Sequence, residues 1–420
     1  MSETVPVYSA PPGRNRSMDI ARGFAVMGIL LMNIIAFTMP EAAYFNPNAW
    51  GGTSLADRIA WALSFILIDG KMRGLFSLLF GASMLMLMDR TEISGGNGRH
   101  RHMVRCAWLL AFGIAHYLLL WWGDILALYA IVGLVAMLFA GKEPLALVKL
   151  AFLAFGIHFL IVTLLMLALY HGQGAVTAPD TDASDVRKWA AVLDSIGRPG
   201  SDSITDEIAL YRGSLQDIVA DKASHYVSWA VSGIKYMGLD TLGFMLLGMA
   251  MLKGGFLTGK WPRENYAGTA RHCFLIGIPP MIALAIWAWV SGFDTVTTFG
   301  PVFAWSFPFR IPLTVGLAAL IFATIVGREP GAFLTRVEAA GRMSLSNYLG
   351  TSLVMTALFY GWGLGLFGSV SRAQVYLFVP PVWALMLLWS KPWLTCFRYG
   401  PMEWLWRSLA TLRVQPLSRG

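Results

Sequence analysis

The sequence predicts an all-α integral membrane protein, a polytopic bundle of about ten transmembrane helices with a helical extracytoplasmic insertion. Three observations predict it. Hydrophobic residues make up 56% of the 420 and charged residues only 13%, where soluble domains carry about a quarter charged residues. Apolar runs approaching the roughly 20 residues of a membrane span recur from end to end. The basic residues, which leave a formal net charge of +8, fall mainly in alternate loops, the positive-inside pattern of a bundle with both termini cytoplasmic. That pattern accounts for the positive excess without nucleic acid.

The spans read as 18–39, 71–89, 103–121, 125–140, 144–169, 227–252, 271–291, 302–326, 343–363 and 373–391. The first could pass for a signal peptide, because Arg14 and Arg16 precede an apolar run. Asp19, Arg22 and Asn33 flank or interrupt that run and no small-residue cleavage site follows, so it stays a span. Residues 55–69 are apolar with a few charges and either extend the second span or lie in the interface as an amphipathic helix, and the Asp69-Gly70-Lys71 break favours a separate element. Arg90, Arg99, Arg101 and Arg105 follow the second span. Lys142 and Lys149 lie around the loop after the fourth, and Lys253, Lys260, Arg263 and Arg271 follow the sixth. Arg328, Arg336 and Arg342 follow the eighth, and Lys391, Arg398, Arg407, Arg413 and Arg419 follow the last. The loops at 40–54 and 292–301 contain no Lys or Arg. The organisation is therefore an N-terminal transmembrane half, 1–169, a hydrophilic extracytoplasmic stretch, 170–226, and a C-terminal transmembrane half, 227–420. The middle stretch is rich in Asp, Asp180 and Asp206 among them, and apolar positions at helical spacing predict short surface helices. Cys106, Cys273 and Cys396 form no paired spacing, so neither a disulfide framework nor a metal site is expected.

Ionisable groups inside a membrane are expensive and mark partners or cavities. In the third span Arg105 and His116 are eleven residues apart, close to three helical turns, and share a face. Arg105 falls near the cytoplasmic surface and His116 about 16 Å deeper. An arginine suits bidentate phosphate contacts, and a histidine suits general-base work near neutrality. The bland alternatives are a positive-inside anchor and a helix–helix hydrogen bond. Asp124, near the outer face, either orients a base or caps the next helix. The first span repeats the spacing with Arg22 and Asn33, and Asp19 can pair with Arg22 three residues on. In the sixth span Lys235 and Asp240 could neutralise each other, although five residues is poor helix spacing. In the ninth, Ser344 and Asn347 could line a cavity and Ser344 shares a face with Tyr348. Interhelical hydrogen bonding is the alternative for that cluster. His158 and His171 are isolated and read as packing residues. Glu403 sits among interfacial tryptophans of a membrane-surface helix.

Several stretches together resemble the YeiB-like membrane proteins, whose C-terminal half carries a domain of unknown function, number 418. They are "DIARGFAVMGILLMNI" at 19–34, "RCAWLLAFGIAHYLLLWWGDIL" at 105–126, "LGFMLLGMAMLKGGFLTG" at 242–259, "GRMSLSNYLGTS" at 341–352 and "RYGPMEWLWR" at 398–407. The resemblance covers nearly the whole chain, in the family's order. That family in turn resembles the transmembrane acyltransferases, which include bacterial glycan O-acyltransferases and lysosomal heparan glucosaminide N-acetyltransferase. Their pattern of an arginine, ten residues and a histidine is matched by Arg105 and His116, and the "DxxRG" start of the N-acetyltransferase branch by Asp19, Arg22 and Gly23. The resemblance implies acyl-CoA, most simply acetyl-CoA, as donor and no metal. It implies Arg105 on the CoA phosphates, with Arg22 and Asp19 beside it, and His116 on the transfer route. One departure is serious. Those relatives keep a catalytic histidine in or just after the first span, where this chain has Asn33 and then "YFNPNAWGG".

The expected function is transfer of an acyl group from cytoplasmic acyl-CoA to a hydroxyl or amine of an extracytoplasmic glycan, lipid or small molecule. His116, Asp124 and Asn33 are the catalytic candidates. Asp240, Lys235, Ser344, Asn347 and Tyr348 are the acceptor-side candidates. The alternative is a transporter or flippase that uses the same buried groups as a substrate or proton path. The expected setting is the bacterial inner membrane, with the bilayer as partner and a homodimer allowed.

Overall fold

The structure is a computed structural model and describes residues 15–178 and 181–419. Arg14 and Asp180, both counted above, lie outside the described residues. The described chain is helical from end to end, with one isolated antiparallel bridge between Phe397 and Ser418.

Helix α1 (Arg16–Thr38) starts at Asn15, whose side chain accepts from the Met18 amide. It is the central helix. Its apolar window is 83% buried, against 22% for the corresponding stretch of Arg263–Val290 at the periphery. The short α2 (Glu41–Phe45) leads to α3 (Leu55–Leu67), a capped amphipathic helix separate from α4 (Lys71–Ile93). Leu55, Ile59, Leu63 and Leu67 recur every four residues on its exposed face, while Trp61 and Phe65 are buried. Next comes a hairpin, α5 (Gly98–Leu119) and α6 (Leu126–Met137). At about 1.5 Å per residue α6 is only about 18 Å long, shorter than the ~30 Å hydrocarbon core. The long α7 (Pro144–Val176) precedes the predicted surface helices, α8 (Ala183–Ser195) and α9 (Asp202–Arg212). The chain returns through α10 (Leu215–Lys253), 39 residues long.

The second half pairs α11 (Arg263–Val290) with α13 (Phe307–Ile325), joined through α12 (Thr295–Phe299) and a π-helical turn at Gly300–Trp305. Helix α14 (Ala332–Arg342) lies on α1 and runs almost directly into α15 (Ser344–Phe359). Then come α16 (Arg372–Val375), α17 (Val379–Cys396) and the amphipathic α18 (Pro401–Thr411), which packs across α5 and α15.

Each predicted span is helical over most of its length. Among the described residues, six stretches are both long and apolar enough to cross a membrane: α1, α5, α7, α11, α13 and Arg372–Cys396. Helices α4 and α10 are long but less apolar, because they carry charges, of which the fold buries Lys71, Lys222 and Asp240 and leaves Arg90 and Lys235 exposed. Helices α6 and α15 are short. The bundle buries one large apolar cluster around α1, α4, α5, α6 and α10, and a second around α1, α15 and α17.

Candidate functional site

At the end of the bundle where α1 begins, a chamber of about 550 Å³ opens between α1, α4, α5, α6, α15 and α18. Six arginines line it: Arg22, Arg90, Arg101, Arg105, Arg342 and Arg407. Two carboxylates, Asp19 and Glu403, accompany them. Deeper in, the lining becomes apolar and aromatic: Phe76, Phe80, Met84, Leu109 and Ile125, with Tyr129 and Tyr348. A basic mouth and an apolar throat form one continuous space.

The mouth is braced. Arg22 Nη1 donates to Asp19 Oδ1 at 2.9 Å and its Nη2 to Ser83 Oγ at 2.8 Å. The Arg105 guanidinium stacks over Trp406, 4.0 Å from the ring centroid, and the Trp406 indole donates to the Arg105 carbonyl at 3.0 Å. Glu403 accepts from the Leu345 and Ser346 amides and from Ser346 Oγ, so a side chain from α18 satisfies the open N-terminus of α15. Burial pushes the Glu403 carboxyl above its ordinary range, and these donors pull against the shift.

His116 stands in the wall behind the chamber, not on its surface. It is 2% exposed, with its ring 5.1 Å from that of Tyr348. Its Nδ1 is 2.8 Å from Asp124 Oδ1, and Asp124 Oδ2 accepts from the Ala127 amide at 2.9 Å. Asp124 thus does both things the sequence allowed, one with each oxygen. Helix α6 starts beside His116, so Asp124 is buried with it. Gly113 permits this approach. A Cβ there would lie 2.4 Å from the Ala127 nitrogen and 2.8 Å from Asp124 Oδ2. Carboxylate contact makes Nδ1 the protonated nitrogen and leaves Nε2 as the basic one. Nε2 is buried and, among the described residues, has no hydrogen-bond partner.

Beneath Tyr129 a second polar group begins. The Tyr129 hydroxyl lies 2.8 Å from Ser77 Oγ and donates to the Arg73 carbonyl at 3.2 Å. Arg73 is ion-paired with Asp240, and among the described residues Asp240 Oδ1 has no hydrogen-bond partner. Two reciprocal close contacts set this pairing. A Cβ on Gly81 would lie 2.1 Å from the Met245 carbonyl oxygen, and one on Gly248 1.9 Å from that of Leu78. Only glycines let α4 and α10 run this close.

The structure brings together Asp19, Arg22, Arg105, Ser344 and Tyr348 at one chamber, with His116 and Asp124 behind Tyr348. Other candidates lie elsewhere. Lys235 is exposed and rests over the Tyr236 ring, so the suggested Lys235–Asp240 pair is corrected to Arg73–Asp240. Asn347 does not line the chamber. It bonds the Ala340 carbonyl, Ser390 Oγ and the Trp389 indole, which is interhelical glue. Asn33 is buried in α1 outside the chamber lining. His158 packs on Phe307 and His171 is exposed. Sequence reasoning passed over Arg73. It treated Arg90, Arg101, Arg342 and Arg407 as membrane anchors, because loop charge count carries no information on which loops converge.

Comparison with known proteins supplies relatives without assigned activity. A family model described as a protein of unknown function (DUF418) matches residues 251–413. The chain is 34% identical over 408 residues to the uncharacterised protein YeiB of Escherichia coli (strain K12), covering 96% of this chain and 97% of that one. It is 29% identical over 422 residues to the uncharacterised protein YxaH of Bacillus subtilis (strain 168), covering 96% and 95%. No solved structure matches.

Proposed function

Since the chain belongs to the YeiB-like family of membrane proteins, whose members bring no known activity with them, we propose from its chamber that it is an acyl-CoA-dependent acyltransferase. One observation carries the reading: a basic-mouthed, apolar-throated chamber ends against a buried His–Asp dyad whose free nitrogen has no structural use. The chamber volume lies within the roughly 300–1,000 Å³ of small-molecule sites. Arginines at its mouth suit the phosphates of a CoA-type donor, and Arg105, already flattened on Trp406, presents its planar fork. Phe76, Phe80, Met84 and Leu109 suit the pantetheine arm and acyl chain. Turning the Tyr348 ring would open the throat to His116.

The dyad then has a defined task. Nε2 of His116 takes the proton of an acceptor hydroxyl or amine as that atom attacks the thioester carbonyl. The new acyl–oxygen or acyl–nitrogen bond forms, the carbon–sulfur bond breaks, and the proton passes to the departing thiolate. Asp124 holds the tautomer and stabilises the imidazolium. In this reading His116 replaces the first-span histidine of the transmembrane acyltransferases, the basic mouth faces the cytoplasm, and the acceptor arrives from the other side.

Purified protein tests this with acetyl-CoA. Saturable CoA binding that weakens in Arg105→Gln, with acceptor-dependent CoA release abolished in His116→Gln, supports it. Substrate uptake into vesicles in the complete absence of acyl-CoA would sink it. That second reading, transport, draws on the polar path from Tyr129 through Ser77 to Arg73–Asp240, which continues inward from the chamber floor.

A further inference from the structure

Aromatic rings shut His116 in on two sides. Toward the chamber stands Tyr348, its ring centroid 5.1 Å from that of the imidazole. On the other side stands Trp121, at 6.3 Å and 72° to the imidazole plane. Helix α5 sets this order in depth. Arg101 and Arg105 line the mouth and Leu109 the throat. His116 follows two turns further on, and Trp121 comes just past the helix end. The Trp121 amide turns back to the His116 carbonyl at 2.9 Å, which keeps the indole next to the histidine. Helix α1 gives the same order. Its Asp19 and Arg22 line the chamber, while Ala36 and Phe37, about 20–25 Å further along, hold Trp121.

The two rings are held differently. Trp121 is 2% exposed and stacks on Phe37 with 4.0 Å between centroids, and its indole donates to the Ala36 carbonyl at 3.2 Å. The Tyr348 hydroxyl accepts from the Ile125 amide at 3.4 Å, a long hydrogen bond, and its ring borders about 550 Å³ of space. A ring beside open space changes rotamer without displacing neighbours, which a close-packed ring cannot do. Beyond Trp121 lies the partly exposed Trp122, with 5.9 Å between centroids. The Trp122 indole nitrogen is buried and, among the described residues, has no hydrogen-bond partner. It is the first donor that a polar group arriving from that side would meet.

We propose that Tyr348 and Trp121 are the two gates of one occluded site at His116, Tyr348 the loose gate toward the chamber and Trp121 the tight gate toward the far end. With both closed, Nε2 is reached from neither end. Turning Tyr348 joins His116 to the chamber, and moving Trp121 joins it to the far end past Trp122. The gates are read from ring positions alone and stand whether or not the dyad transfers an acyl group. If it does, they admit donor and acceptor to Nε2 from opposite sides and keep bulk water from the thioester.

Cysteine labelling of the full chain tests this. The background carries Cys106→Ala, Cys273→Ala and Cys396→Ala, because these thiols are free and Cys106 lines the chamber. His116→Cys then puts a single thiol between the gates. The reagent is 2-sulfonatoethyl methanethiosulfonate, an anion that does not cross membranes. It is added to membrane vesicles of both orientations, and Arg101→Cys in the same background identifies the orientation that exposes the mouth. Slow labelling from the mouth side and none from the far side are expected. Tyr348→Phe keeps the ring and drops its hydrogen bond, and is expected to speed mouth-side labelling about fivefold while the far side stays closed. Trp121→Ala is expected to open the far side. Phe37→Leu removes the stack and keeps Trp121; it is expected to open the far side more slowly, which keeps the test decisive if Trp121→Ala does not fold. Mouth-side labelling unmoved by Tyr348→Phe, or a far side that stays closed in every folded variant, overturns the gates. No CoA enters these samples, so a failure of the gates and a failure of acyl transfer are read separately.

Discussion

The two ends of the bundle treat buried charge in opposite ways. At one end six arginines and two carboxylates surround about 550 Å³. At the other, one arginine and one carboxylate, Arg372 and Asp69, line about 20 Å³. The first holds far more positive charge, yet its charge is the easier to sustain. A chamber of that size has room for many waters, which would screen the arginines. A cavity with room for one water cannot do this, so each cation there needs a partner of fixed geometry. Volume, rather than charge count, therefore decides whether buried cations can be left to solvent or must be met by fixed partners of the protein.

The sharpest way to break this comparison is through the dyad between the two ends. His116→Gln is expected to lower acyl transfer by about 10²–10⁴-fold while CoA affinity stays within about twofold, measured by CoA release and calorimetry on one preparation. Equal loss of both would move His116 from chemistry to architecture. Next in size is the buried ion pair. Asp240→Ala strands Arg73 and is expected to cost about 3–5 kcal/mol, read as loss of thermal stability in detergent. Arg73→Met with Asp240→Leu is expected to restore most of it. A restored but inactive double variant would favour the transport reading.

Arg105→Gln is expected to weaken CoA binding about tenfold, with the difference shrinking as salt rises if the mouth is as wet as its volume implies. An unchanged affinity would leave Trp406 stacking as the sole task of Arg105. The smallest effect concerns the helical insertion. Both Glu207 carboxylate oxygens accept from the Glu41 amide at 3.0 Å. Burial, then the neighbouring Glu41 charge, push the Glu207 carboxyl from 4.5 up to about 8, and Asp221 adds to the shift. With the folded value raised, Glu207 contributes stability that is fully present below about pH 4.5 and is lost as pH rises through about 8. Glu207→Gln is expected to flatten that dependence, an effect on the order of 1 kcal/mol or less, visible in hydrogen exchange of α9.

Some of the site was legible in the chain. Arg22 and Asp19 are three residues apart and do pair; Ser344 and Tyr348 are four apart and do share a lining. Arg105 and His116, eleven apart, point the same way, but only Arg105 reaches the chamber, because Tyr348 from α15 covers the histidine. Asp124 was legible as a partner or a cap, and the close crossing at Gly113 made it both.

The sequence by itself determined the helices, their apolar lengths and the face each polar residue occupies, because helical geometry fixes relations over a few turns. Only the tertiary structure decided partners. Asp240 chose Arg73, 167 residues away, over Lys235 five residues before it. Arginines from five helices converged on one mouth, and Lys71 and Arg372 at the far end were met by the backbone carbonyls of Phe65 and Ala43. Such choices depend on which helices touch and how closely, and helix–helix distance is set by packing across the whole bundle, which no local pattern encodes.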